Sequence, residues 1–138
     1  MGYKVPRESW RIIETVIRRY PENKAAYDNI VEEMVHSSPE HDGQPKGSSL
    51  SNPTERVAIK IASDPRLSRM KRELDAVENV YSNMLPEYQK VIKVRFWSYR
   101  YQNMSYFNME PCTSYRERQM QKIVGRFVRE VGKALGEI

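Results

Sequence analysis

The stretch from Thr113 to Leu135, TSYRERQMQKIVGRFVREVGKAL, decides how the rest of the chain is read. An α-helix advances about 100° per residue, which places Met120, Ile123, Val124, Phe127, Val131 and Leu135 together on one side. Tyr115, Arg118, Lys122, Arg126, Arg129 and Lys133 fall on the opposite side at steps of three and four, with Gln119 beside them. Glu117 and Glu130 lie off that stripe. Thr113 or Ser114 supplies a helix cap, no proline follows Pro111, and Gly136 is a stop signal. The pattern predicts one helix from there to about Ala134. A helix that is dry on one face and cationic on the other suits a polyanion or an anionic membrane surface.

Working outward, the prolines mark element boundaries, because a residue without an N–H is tolerated mainly in the first turn of a helix. Trp10, Ile13, Val16, Ile17 and Tyr20 share one helical face that stops at Pro21, and Tyr27, Ile30, Val31, Met34 and Val35 repeat the pattern beyond it. This predicts a helical hairpin over residues 1–37. Residues 38–52 read as a flexible loop, rich in Ser, Gly and Pro, with Leu50 its only sizeable apolar residue. Over residues 53–85, Asn52-Pro53 and Asp64-Pro65 each look like a cap followed by a proline-led helix. There Leu67, Met70, Leu74, Val77, Tyr81 and Met84 form a seam of coiled-coil spacing. Two uses of that seam stay open, pairing with its copy in a homo-oligomer or packing within the chain. Leu85-Pro86-Glu87 opens a helix ending near Trp97, and a short helix around Met104 to Met109 follows. No stretch alternates with a period of two, so the fold class is all-α.

Composition narrows the function. The chain of 138 residues holds 23 Lys and Arg against 18 Asp and Glu, a net charge of +5. Residues 1–85 are balanced at 13 of each sign, whereas residues 86–138 hold 10 basic and 5 acidic side chains, so a polyanion should dock on the last third. The single cysteine, Cys112, excludes an intrachain disulfide and a Cys-rich metal site. No apolar run approaches the roughly 20 residues of a membrane span and the first residues lack an apolar core, so a cytoplasmic protein without membrane attachment is expected. There is no Gly-rich phosphate loop, no Ser/His/Asp set and no carboxylate cluster in the basic third. Neither enzyme activity nor a cofactor is expected.

Double-stranded DNA fits the cationic stripe better than a membrane. A short helix and a turn precede the basic helix, and its first turns carry Tyr, Arg and Gln, which reach base edges as well as phosphates. Arg118 suits a guanine, Gln119 an adenine edge, and Lys122 a base or a phosphate. Arg126, Arg129 and Lys133 lie about 12 Å or more along the axis from Arg118 and suit backbone phosphates. The competing reading is an ordinary solvated face.

The segment Leu85–Trp97, LPEYQKVIKVRFW, resembles the opening helix of the helix-turn-helix in bacterial sigma-factor region 4, and residues 122–136 resemble the tail of its recognition helix. More closely, the chain resembles the RinA/ArpU-like phage transcriptional regulators. These have similar length, an N-terminal helical pair, a Gly- and Ser-rich loop leading to a segment like Ser51–Lys60, and a C-terminal helix-turn-helix. The resemblance implies a helix-turn-helix DNA-binding domain over residues 86–138 and a sequence-specific regulator of phage or prophage late genes, acting in the bacterial host cytoplasm. It assigns base reading to Tyr115, Arg116, Arg118, Gln119 and Lys122. The chain departs from the family pattern at Asn103–Cys112, where Pro111 stands in place of the tight turn. Two alternatives are a small terminase subunit or other phage packaging protein, and an adaptor to host RNA polymerase whose basic ridge meets acidic protein.

Other signals have plain readings. His36 and His41 lie near Glu40 and Asp42 but lack a third placed ligand. Cys112 reads as a packing thiol. Nine of the 14 aromatic residues follow residue 85. With Arg95 and Arg100 among them they suit stacking on single-stranded bases, while Phe96, Trp97 and Phe127 read as the core of a trihelical unit.

Overall fold

Prolines open several of the helices, where their missing N–H is tolerated, and one proline breaks that pattern. A computed structural model describes residues 5–36, 53–98 and 104–138. Among these the regular elements are helices: α1 (Arg7–His36), α2 (Pro53–Ser63), α3 (Pro65–Ser82), α4 (Pro86–Ile92) continuing as a π-helical turn (Lys93–Trp97), α5 (Tyr106–Met109), a 3-10 turn (Glu110–Cys112) and α6 (Glu117–Leu135). The fold is all-α. The loop expected over residues 38–52 and the residues Tyr99, Arg100 and Tyr101 lie outside the described residues.

The helical hairpin expected over residues 1–37 is not formed. α1 is a single helix of 30 residues with Pro21 inside it. Proline cannot donate to the carbonyl four residues earlier, which leaves the Ile17 oxygen without its helical partner. The Trp97 indole Nε1–H donates to that oxygen at 2.7 Å. A side chain remote in sequence thus replaces the lost backbone donor, and the helix runs on.

The chain forms two compact units, one of Met1–Pro21 with Glu73–Ile138 and the other of Glu22–Arg72. This division differs from the four segments drawn from sequence, because the basic last third shares its unit with the start of α1 and the end of α3. In the Glu22–Arg72 unit, Val57 of α2 and Leu67 of α3 are buried. Asp64 joins these helices as a cap. Its Oδ1 accepts the backbone N–H groups of Arg66 at 2.9 Å and Leu67 at 3.3 Å, satisfying donors that the first helical turn leaves free.

The larger unit is built around α4 and its π turn. Val91, Ile92, Val94 and Phe96 are all buried there, more than one α-helical stripe supplies, so this segment is covered on several sides. Ile13 and Ile17 of α1, Ala76 and Val77 of α3, Met109 of α5, and Met120, Val124, Phe127, Val128, Val131 and Leu135 of α6 complete the core. Val77, Tyr81 and Met84 of the expected seam pack into this core of the same chain. Trp97 meets Tyr20 at 5.3 Å, Tyr81 at 5.2 Å and Phe127 at 6.4 Å between ring centroids, so the aromatics Phe96, Trp97 and Phe127 are core. Tyr20 also donates its hydroxyl to Glu78 Oε1 at 2.8 Å.

α1 packs against α6 at Gly132. A Cβ there would lie 2.5 Å from Ile13 Cδ1, a side chain with no exposed surface, so the missing methyl lets the two helices meet. α6 ends as its sequence predicts. Gly136 adopts a left-handed φ of 80°, and the N–H of Glu137 donates to the Gly132 oxygen at 2.9 Å.

Candidate nucleic-acid interface

α6 begins at Glu117, later than Thr113 or Ser114 had suggested. The Thr113 hydroxyl oxygen instead accepts the Tyr115 N–H at 3.1 Å and closes a turn before the helix. Two side chains then satisfy the opening donors of α6. Gln119 Oε1 accepts the Arg116 N–H at 3.0 Å, and Glu110 Oε2 accepts the Glu117 N–H at 2.9 Å. The Glu110 carboxylate also sits at the positive end of the helix dipole. The Arg116–Gln119 spacing carries half of a capping-box signal, whereas the Glu110 contact spans the turn and no sequence rule announces it.

The outer face of α6 carries the expected cations. Arg118, Lys122, Arg126, Arg129 and Lys133 are exposed, while Met120, Val124, Phe127, Val131 and Leu135 on the reverse side are buried and Ile123 is half-buried. Val128 and Gly132 join the buried side, two positions absent from the sequence projection. Arg118, Lys122 and Arg126 pair with no carboxylate among the described residues. Further along, Arg129 holds its guanidinium carbon 5.9 Å from the Trp10 ring centre, and Lys133 Nζ stands 3.5 Å from Glu130 Oε1. At its C-terminal end the ridge is therefore partly neutralised, though an exposed pair of this kind is weak and salt-sensitive.

Three expected base readers sit differently from the projection. Tyr115 precedes the helix and is half-buried, with its ring 5.8 Å from that of Tyr88. Loss of solvent, then the nearby Glu87 carboxylate and Tyr88, push its phenol pKa above the usual value, so it stays protonated at neutral pH. Arg116 is the exposed cap residue, outside the helical stripe. Gln119 is exposed but its oxygen already accepts the Arg116 N–H, so a two-point contact with adenine would share that oxygen with the cap. The cations of α6 with neither a ring nor a carboxylate partner among the described residues are Arg118, Lys122 and Arg126.

Beside this ridge an open groove of about 710 Å³ runs between the end of α3, the start of α4 and α6. Lys122 and Arg126 form its cationic wall, and Met84, Leu85 and Tyr88 lie among its apolar lining.

One other basic residue of the last third, Arg95, is engaged by the fold instead. Arg95 stacks its guanidinium carbon 4.1 Å from the Tyr106 ring centre and donates from Nη1 to the Met104 oxygen at 2.9 Å. His36 lies 3.6 Å from Glu32, whereas His41, Glu40 and Asp42 lie outside the described residues. Cys112 is half-buried and packs on the core. No helix among the described residues is long and apolar enough to cross a membrane.

Compared with known proteins, residues 11–133 match the model of a family described as "Protein of unknown function (DUF722)". No curated protein and no solved structure matches the chain.

Proposed function

The chain belongs to the DUF722 family, whose function is unknown, and we propose from the geometry of α6 that it binds double-stranded DNA to control transcription. The observation that carries this reading is the exposed row Arg118, Lys122, Arg126 and Arg129, backed by a buried face that fixes which way the row points. A major groove about 12 Å wide admits a helix of this kind. Arg118 and Lys122, near the start of α6, are the proposed base-reading residues, and Arg126 and Arg129 neutralise phosphates. Tyr115 and Gln119 support the presenting turn, through the Tyr88 contact and the Arg116 cap. The short α5, the turn after it and the long basic α6 follow the order of a helix-turn-helix. The proposed regulatory role rests further on the likeness to the RinA/ArpU-like regulators.

Salt dependence of duplex binding tests the proposal. Each phosphate contact contributes about 0.9 to the slope of log affinity against log salt. Arg126→Ala with Arg129→Ala should flatten that slope by about 2 and weaken all duplexes alike, whereas Arg118→Ala with Lys122→Ala should weaken binding more than about tenfold and reduce discrimination between sequences. Unchanged duplex affinity at low salt in the latter variant, folded, would remove the proposal.

A further inference from the structure

The cationic surface does not end on α6. At Arg129 the ridge turns off the helix, because its guanidinium rests beside Trp10 of α1. Trp10 in turn lines a shallow groove of about 670 Å³ with Val5, Pro6, Arg7, Arg11 and Glu14. Arg7 and Arg11 are one helical turn apart and both exposed. Neither pairs with a carboxylate among the described residues. Glu14, the acid of this groove, has its carboxylate 3.9 Å from Arg18, so part of its charge is already answered. Beyond Arg129, Lys133 is paired with Glu130. The unpaired positive charge therefore continues from α6 onto α1, with Trp10 as the bridge, and not along α6 itself.

We infer that the first turns of α1 form a second phosphate-contacting element of the DNA interface, with Arg7 and Arg11 gripping the backbone outside the groove that α6 enters. This rests on the proposed DNA binding by α6. The distances support it: Arg118 and Arg129 are about 16 Å apart along the helix, at about 1.5 Å per residue. That exceeds the width of a major groove, so Arg129 and its neighbours on α1 meet flanking phosphates. Charge balance gave no hint of this, since residues 1–85 are neutral in sum. The fold sets Trp10, which shares a groove with two of their arginines, beside the basic helix.

The test uses the full chain and a duplex about three helical turns long, measured over a series of salt concentrations. Arg7→Gln with Arg11→Gln should flatten the salt slope by about 2 while leaving the preference between duplex sequences unchanged, because phosphate contacts carry no sequence information. Arg7→Lys with Arg11→Lys keeps both charges and should restore the slope. A wild-type slope in the glutamine variant, or no recovery in the lysine variant, would overturn the inference. If Arg126→Ala with Arg129→Ala flattens the slope and the α1 glutamine variant does not, the α1 contact alone fails. If the wild-type chain binds no duplex at low salt, the reading of α6 fails with it.

Discussion

Arg95 and Arg118 belong to the same basic third of the chain, yet the fold uses them in opposite ways. Arg95, on the π turn, lies flat over Tyr106 and spends a donor on the Met104 carbonyl. Arg18 of α1, though exposed, is also engaged, with its guanidinium carbon 5.1 Å from the Phe96 ring centre and Glu14 at 3.9 Å. Arg118 and Lys122 stand exposed on α6 with neither ring nor carboxylate partner among the described residues. A cation already stacked and hydrogen-bonded has little left to offer a ligand, whereas an unpaired one pays no internal cost on meeting a phosphate. The difference teaches that net charge locates a binding surface only after the charges consumed by the fold have been set aside.

The contrast can be broken by mutation, and the largest effect is expected at Arg95. Arg95→Ala removes a stacked cation and a hydrogen bond to backbone, together about 2 kcal/mol of stability, read as a lower urea midpoint. A loss under about 0.5 kcal/mol would place Arg95 with the free cations instead.

A smaller effect concerns Tyr106 under that guanidinium. Burial raises its pKa above the ordinary 10.0, Arg95 lowers it, Glu14 raises it and Arg18 lowers it, and the net direction is upward. The folded chain therefore holds this proton to higher pH than the unfolded chain does. Stability present below about pH 10 should decline as pH rises through that value toward the folded pKa. Tyr106→Phe should lessen the decline and Arg95→Ala should steepen it, in urea midpoints taken from neutral to strongly alkaline pH. A decline of equal size with and without the Tyr106 hydroxyl would show that other groups cause it. The smallest effect is expected on the outer face. Arg118→Ala with Lys122→Ala should change folding stability by less than about 0.5 kcal/mol, which separates any loss of DNA binding from a loss of fold.

Much of this arrangement was legible because it is local. The buried and exposed stripes of α6, the stop at Gly136, and the helices opening at Pro53, Pro65 and Pro86 all follow from residues within a few positions of one another. What was hidden depends on distant partners. Pro21 reads as a break until Trp97 supplies the donor that α1 lacks. Tyr115 projects onto the cationic stripe only if the helix already includes it. Thr113 closing a turn and Glu110 reaching across to Glu117 shift that start, and Tyr115 then rests on Tyr88. Arg7 and Arg11 gain meaning only when Trp10 meets Arg129. Periodicity reports which face of a helix is dry, but not which neighbour will claim the side chains on its edges.

The most direct test of the central claim is selection of bound duplexes from a random library at near-physiological salt, run with the wild-type chain and with the Arg118→Ala, Lys122→Ala variant. Base reading by α6 requires enrichment of a defined sequence by the wild type and its loss in the variant. Binding without enrichment, or the same sequence recovered by both proteins, would contradict base reading by α6.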